Sequence, residues 1–381
     1  MDNLFYFDWR TWATMIRLVR REPDRATRRR HYRTLCVVVP SLALLHTVTF
    51  ALDPLFFPAL RRTDVVKPVF VVGHARSGTT YLHRMLANDP RFSYVLLWEM
   101  FFPSLIEKKV LRAVLRWDKR FGGQLRKRID KLDERLFAKN QNVHETGLFA
   151  PEEDEFLLTM SCASGFWVVQ FPYVDDLDFY YVDDRWPKAK AERVMRFYRA
   201  CVRRQLVLNG AGLTHLSKAP IHCGRVEYLI KTFPDARFVV PVRNPYETIP
   251  SFLKLMQFAW SARKRSEDDM TKSFKSFVES SYHYYQHPLD VLDAHPEVPR
   301  IVLDYADLVT DPAGLMHRVY DAIDLDMVPE QKQALAAERG RDYKSGHTYS
   351  LEEFGLETED IRTHLAPLFE RFGWEKSDHA S

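Results

Sequence analysis

The sequence predicts an α/β chain: a doubly wound, central parallel sheet with helices on both faces and a helical extension at its amino end. Three observations carry this. Apolar, β-branched runs recur as Pro68–Gly73 (PVFVVG), Ala236–Val242 (ARFVVPV) and Pro299–Leu303 (PRIVL), the composition of strands buried on both faces. Each run is followed by turn residues and then a helical pattern, so parallel strands alternate with crossover helices. The first run leads directly into GHARSG, Gly73 to Gly78, a phosphate-cradling spacing that belongs between a strand and a helix amino terminus.

Residues 1–65 are expected to form the helical extension and residues 66–381 the main domain. Residues 1–34 carry nine Arg against Asp2, Asp8, Glu22 and Asp24. The apolar stretch that follows, Leu35 to Leu52, has 18 residues, short of the ~20 that cross a bilayer. Pro40, Ser41, His46, Thr47 and Thr49 dilute it, and Asp53–Pro54 stops it. With a basic stretch ahead of it, a spanning helix would carry the rest of the chain out of the cytoplasm, away from nucleotide. Two readings are left. The segment lies in a membrane interface with its Arg cluster on headgroups, giving peripheral contact through residues 1–60. Alternatively it packs on the main domain or on a second subunit, in a homo-oligomer.

After the glycine loop, Leu82, Met85 and Leu86 mark one side of a helix beginning near Tyr81. Helical patterns then cover 105–137, 151–164 and 188–209, and His364–Trp374 closes the chain as an amphipathic helix. Residues 107–139 hold twelve Lys or Arg against five acids, either a solvated helix face or a contact with an anionic surface. An apolar content of 46% with 26 Phe supplies a large core, while the net charge of only +4 and the want of any binding module give nucleic acid no footprint. Cys36, Cys162, Cys201 and Cys223 are scattered without a CxxC pair, which fits a reducing compartment and neither a zinc site nor a disulfide framework. The Met1 end does not read as a basic-then-apolar leader. A cytoplasmic location follows, either free or at the inner membrane face.

The chemistry is concentrated at the ends of the strands. A triphosphate site would place Lys after the second glycine and an Asp at a later strand end to hold Mg²⁺. Here Thr79 follows Gly78, the cation stands inside the loop as Arg76, and the hydroxyls of Ser77, Thr79 and Thr80 surround it. The later strand ends in Arg243, with Ser251 eight residues on, in RNPYETIPS. An Arg fork beside a Ser can grip a terminal phosphate monoester. Two anion sites, one for a bridging phosphate and one for a lone phosphate, describe 3′-phosphoadenosine 5′-phosphosulfate (PAPS), with no metal. An ATP-dependent kinase lacks its Lys and Asp, and a non-catalytic nucleotide-binding scaffold is not expected to keep Arg76, Lys218, Arg243 and Ser251 all intact.

KPVFVVGHARSGTTYLHRMLANDP, together with FVVPVRNPYETIPSFLKL, resembles the PAPS-dependent sulfotransferase superfamily, nearest its bacterial branch and related to the tyrosylprotein sulfotransferases. PEEDEF at 151–156 and HTYSLEEFGL at 347–356 resemble the same branch, so the likeness runs over about residues 67–374. It implies that Arg76, Ser77, Gly78, Thr79 and Thr80 hold the 5′-phosphosulfate, and that Arg243 and Ser251 hold the 3′-phosphate. It further implies nucleotide contacts for Tyr305, Lys344 and His347, and a place for Lys218 at the leaving oxygen. Cytosolic members have Lys where this chain has Arg76, and the protein-tyrosine branch has Arg. Glu99, 23 residues past Arg76 in LLWEMFFPS, falls near the catalytic Glu of that branch and is the expected base. His74, and His144 with Glu145, stand in reserve. Glu152, Glu153, Asp154 and Glu155 read as acids at a helix start after Pro151, with Glu153 or Asp154 as candidates for the acceptor site. SGFWVVQFP at 164–172 and the aromatic LWEMFF stretch read either as acceptor-pocket wall or as core. The acceptor itself is a hydroxyl compound, lipid-like if the amino-terminal segment sits on a membrane.

Overall fold

The three apolar runs become adjacent parallel strands. The computed structural model describes residues 4–137, 147–261, 267–338 and 350–374. In it, β1 (Val69–Val71), β2 (Phe92–Ser93), β3 (Thr214–Lys218), β4 (Arg237–Val242) and β5 (Arg300–Asp304) pair in the order β2-β3-β1-β4-β5, every pair parallel. Val71 at the end of β1 stands beside Lys218 of β3 and Val239 of β4. The chain leaves β1 to one side and returns on the other, so the loop after β1 lies at the switch point where ligands enter an open α/β sheet. Helices cover both faces of this α/β sheet. On one, Val69, Val71, Leu82 and Val239 pack together, and on the other Phe70, Phe238 and Val240 join the larger core.

Some elements depart from expectation. The pattern over 105–137 is two helices, Leu105–Arg120 and Gln124–Phe137. Gly122 (φ 90°) and Gly123 (φ 68°) turn the chain between them in a region where only glycine is unstrained. Residues 151–164 form no long helix, only the 3₁₀ turn Asp154–Leu158, because their acids are spent on buried partners. By contrast, the helix Lys188–Asn209 matches its pattern closely. Strands β2 and β3 went unread: THLSK mixes polar and apolar residues and gives no buried-strand signal.

Asp8 starts the first helix, Trp9–Val19, by accepting from the N–H groups of Arg10 and Thr11. A second helical run extends from Arg25 to Phe56, interrupted by a π turn at Thr34–Val38. Pro40 is the cause: it has no N–H and crowds the carbonyl four residues back, and the wider turn relieves this. Leu35, Val39 and Phe50 enter the same core as Phe70. Below them Asp53, fully buried, accepts from Arg204 Nε at 2.6 Å. It also caps the helix Leu105–Arg120, taking the Leu105 and Ile106 N–H groups at 3.0 and 2.9 Å. His46 pairs with Glu107 at 2.8 Å across the same seam.

Candidate active site

The loop after β1 is built by its two glycines for different reasons. A Cβ on Gly73 would lie 2.4 Å from the Pro241 carbonyl oxygen of β4, so a side chain there would pry the strands apart. Gly78 takes φ 82°, and a Cβ on it would lie 2.8 Å from the ring of Tyr305. Arg76 adopts φ 74° without being glycine, a sparsely populated conformation that marks the loop as functionally constrained. From Gly78 the helix Thr79–Ala87 begins, and its first N–H groups point back into the loop as anion donors.

The expected nucleotide residues converge here. Arg76 Nε donates to Ser251 Oγ at 3.0 Å, so the loop after β1 and the expected second anion grip touch rather than stand apart. Arg243 follows β4; its guanidinium carbon sits 4.2 Å from the centroid of the Tyr305 ring, and its Nη1 lies 3.4 Å from the Arg76 carbonyl. Glu247 holds the other side of the fork, accepting from Nε at 2.9 Å. Tyr305 opens the short helix after β5. Three strand ends thus present two guanidinium groups, a hydroxyl and an aromatic face. Ser77 is buried under the loop, beside the phenol of Tyr285.

On the other side of the loop, Lys218 ends β3 with its side chain almost wholly buried. Its Nζ lies 3.0 Å from Glu153 Oε1 and 3.5 Å from Thr80 Oγ1. Glu152 is buried too, and its Oε1 has no hydrogen-bond partner among the described residues. Burial raises its pKa above the usual carboxylate range, Lys218 opposes this, and Glu153 adds to it. Asp154 and Glu155 do not cap a helix. Asp154 braces β3, accepting from Ser217 Oγ at 2.8 Å and meeting His215 Nε2 at 2.9 Å. Burial pushes its carboxyl up, but His215 and His222 pull it well below the ordinary range. Glu155 pairs with Arg225 at 3.1 Å in the core.

The two described residues expected to take a proton, Glu99 and His74, are already bonded. Glu99 is fully buried, with Arg112 at 2.6 Å, Gln205 at 2.7 Å and the Leu96 N–H at 3.1 Å on its oxygens; none of these partners belongs to the loop. His74 lies against the Ala75 carbonyl through Nδ1 (2.6 Å) and Ser281 Oγ through Nε2 (2.9 Å). Nδ1 faces a carbonyl and must carry the proton, which leaves Nε2 as the acceptor. Burial pushes its pKa down to about 4. His74 therefore anchors the loop to the helix Glu267–Ala294. Lys344, His347, His144 and Glu145 lie outside the described residues. The stretch 164–172 is core, with Trp167, Val168 and Phe171 buried.

Sequence reasoning passed over His83, on the loop's own helix. It is buried with neither ring nitrogen hydrogen-bonded among the described residues, and burial, then Lys218, push its pKa down to about 3. One clue was available: a His four residues after Thr79 points inward beside Leu82 and Leu86. Beyond it, a cleft of about 420 Å³ opens between Arg84, Asn88 and Tyr94 on one side and Gly147, Ala150 and Pro151 on the other. Arg84 also bears on the charge of Glu152, so this cleft adjoins the Lys218 cluster. Asp184, His283 and His287 offer three metal-ligand atoms within 4.8 Å of one another. They sit on the far side of the helix that presents Ser281 to His74, and take no part in the anion grips.

Residues 68–330 match the Sulfotransferase family. The omega-hydroxy-beta-dihydromenaquinone-9 sulfotransferases Stf3 of Mycobacterium bovis and Mycobacterium tuberculosis are each 26% identical over 323 residues, 81% of this chain and 76% of theirs. Sulfotransferase STF9 from Mycobacterium avium superposes with a TM-score of 0.75 at 21% identity, over 97% of this chain and 93% of its own. STF1 from Mycobacterium tuberculosis does so at 0.62 and 22%, over 84% and 83%. The chain belongs to the Sulfotransferase family and is a sulfotransferase.

Proposed function

We propose that the chain moves the sulfuryl group of PAPS to the hydroxyl of a lipid-like alcohol by in-line displacement. The observation that carries this reading is the convergence of Arg76, Ser251, Arg243 and Tyr305 on one side of the glycine loop, with Lys218 and Thr80 on the other. The residues fit a nucleotide with two separate anionic groups. Arg243 and Ser251 would hold the 3′-phosphate, Tyr305 offers an aromatic face beside it, and Arg76, Ser77, Gly78, Thr79 and Thr80 would cradle the 5′ end. PAPS supplies an activated S–O bond. Lys218 meets the charge that grows on the bridging oxygen as that bond breaks, an electrostatic contribution made where water is excluded. The acceptor oxygen bonds to sulfur, and its proton passes to a carboxylate. We assign this base to Glu152, whose free oxygen and raised pKa suit the role, with Glu153 positioning Lys218. Glu99, with its oxygens already bonded, is better suited to holding the wall of the site. Arg and hydroxyl donors meet the anion throughout, so no divalent cation is needed.

The acceptor class is supported by the Stf3 relatives, whose names specify a hydroxylated dihydromenaquinone, and by the cleft beside Lys218. Labelled PAPS offered with long-chain alcohols and membrane lipid extracts tests the reading. Label moving to a lipid hydroxyl in the presence of EDTA supports it; phosphoryl transfer from ATP and Mg²⁺, without sulfuryl transfer, overturns it.

A further inference from the structure

The helical run Arg25–Phe56 turns one side to the protein and leaves the other bare. Only 28% of its most apolar stretch is buried. Leu44, Val48, Leu55 and Phe56 are 68, 51, 69 and 62% exposed, and their spacing puts them on one side of the helix. The helix packed beside it, Leu105–Arg120, repeats the pattern. Val110, Val114, Trp117 and Phe121, at steps of three and four, are 55, 44, 66 and 73% exposed. These helices are joined along their inner sides by Asp53, His46 and Glu107, so the two bare rows belong to one rigid unit. A soluble surface seldom leaves so much large apolar area uncovered.

Charge selects the occupant. Arg25, Arg29, Arg30 and Arg33 are exposed at the start of the first helix, and Lys109, Arg116, Lys119 and Arg120 flank the second row. Between Arg25 and Phe56 the one acid is Asp53, and it is buried. A second copy of this chain would bring the same cations face to face. An anionic bilayer supplies both apolar depth and negative headgroups. Crossing the bilayer is ruled out by the inner side, since it would strip Asp53 from Arg204 and His46 from Glu107.

We propose that these two helices form a platform that seats the enzyme on an anionic membrane leaflet, in-plane rather than spanning, with the helix Leu105–Arg120 sharing the contact. This deepens the lipid-acceptor reading and rests on it for its purpose. Arg112 of the second helix bonds Glu99 and Asn209, and Asn209 bonds Ser93 next to Tyr94, a wall of the cleft. The platform thus lies a short step from the candidate acceptor entrance, and a lipid alcohol reaches the site without leaving its leaflet.

The test uses the full chain with vesicles of phosphatidylcholine alone or with roughly 30% phosphatidylglycerol. The expected result is sedimentation with the anionic vesicles, weakened by salt. Binding should fall at least about tenfold in Leu44→Glu/Leu55→Glu and, separately, in Trp117→Glu/Phe121→Glu, with thermal stability and adenosine 3′,5′-bisphosphate binding unchanged. No vesicle binding by the wild type overturns the proposal, as does a dimer in light scattering that either double variant dissociates. The second pair failing to matter overturns the platform's second half. Transfer to a soluble short-chain alcohol separates the claims. If it persists without vesicle binding, the platform is wrong and the chemistry stands; if vesicles bind and no acceptor is sulfated, the reverse holds.

Discussion

Arg76 Nε and Ser251 Oγ lie 3.0 Å apart, a hydrogen bond that ties the loop after β1 to the helix after β4. A ligand bridging the two strand ends must enter between partners that already hold each other in place. The guanidinium is thereby oriented before binding, which lowers the ordering cost of capture.

Arg243→Ala should weaken adenosine 3′,5′-bisphosphate by about 1.5–3 kcal/mol, the contribution of a charged hydrogen bond. Ser251→Ala should weaken it less, because it removes a neutral hydroxyl contact and the Arg76 tether while the Arg243 charge stays. Titration calorimetry measures both, and unchanged affinity in Arg243→Ala would remove the 3′-phosphate from this site.

In the reaction we propose, Lys218 acts on the transition state rather than on binding. Lys218→Met should lower kcat on the order of 100-fold and leave the bisphosphate affinity close to wild type. A loss confined to KM would recast Lys218 as a ground-state contact.

The raised pKa of Glu152 predicts the acid limb of the rate profile. A base must be ionised, so kcat/KM should fall as pH drops through a value above the usual Glu range of about 4.3. Glu152→Gln should remove that limb and cost on the order of 100-fold in rate. If Glu152→Gln keeps its activity while Glu99→Gln loses it without losing stability, the proton goes to Glu99 after all.

His74 and His83 are buried neutral, their pKa values down to about 4 and about 3. Unfolding restores both to about 6.5. The unfolded chain then binds more protons, so stability is intact above pH 6.5 and declines as pH falls toward about 4, and further toward about 3 for His83. His74 accounts for on the order of 3 kcal/mol across its window and His83 for on the order of 5. Urea midpoints against pH should show this decline, and His83→Gln should flatten it.

Much of the fold was legible because buried parallel strands announce themselves. Val69, Val71, Val239 and Val240 need apolar surroundings on both faces, and a local run of β-branched residues records that need. Strand β3 escaped notice because its polar residues are paid for by distant partners: Ser217 and His215 face Asp154, some sixty residues away. The same distance explains the site. Arg76, Arg243 and Ser251 could be read from short motifs bound to a strand end, and they do converge. The base we propose could not, because whether Glu99 or Glu152 has an unbonded oxygen depends on what Arg112, Gln205 and Lys218 already hold. Local sequence carries no record of such competition.

Asp53 has a consequence for how this chain is cut. Being at once the counter-ion of Arg204 and the starting bracket of the helix Leu105–Arg120, it makes the amino-terminal region a keystone instead of a detachable tether. Shortening the gene past it would leave an orphaned guanidinium in the interior, so a truncated protein would fail by collapse before its affinity for lipid could be judged.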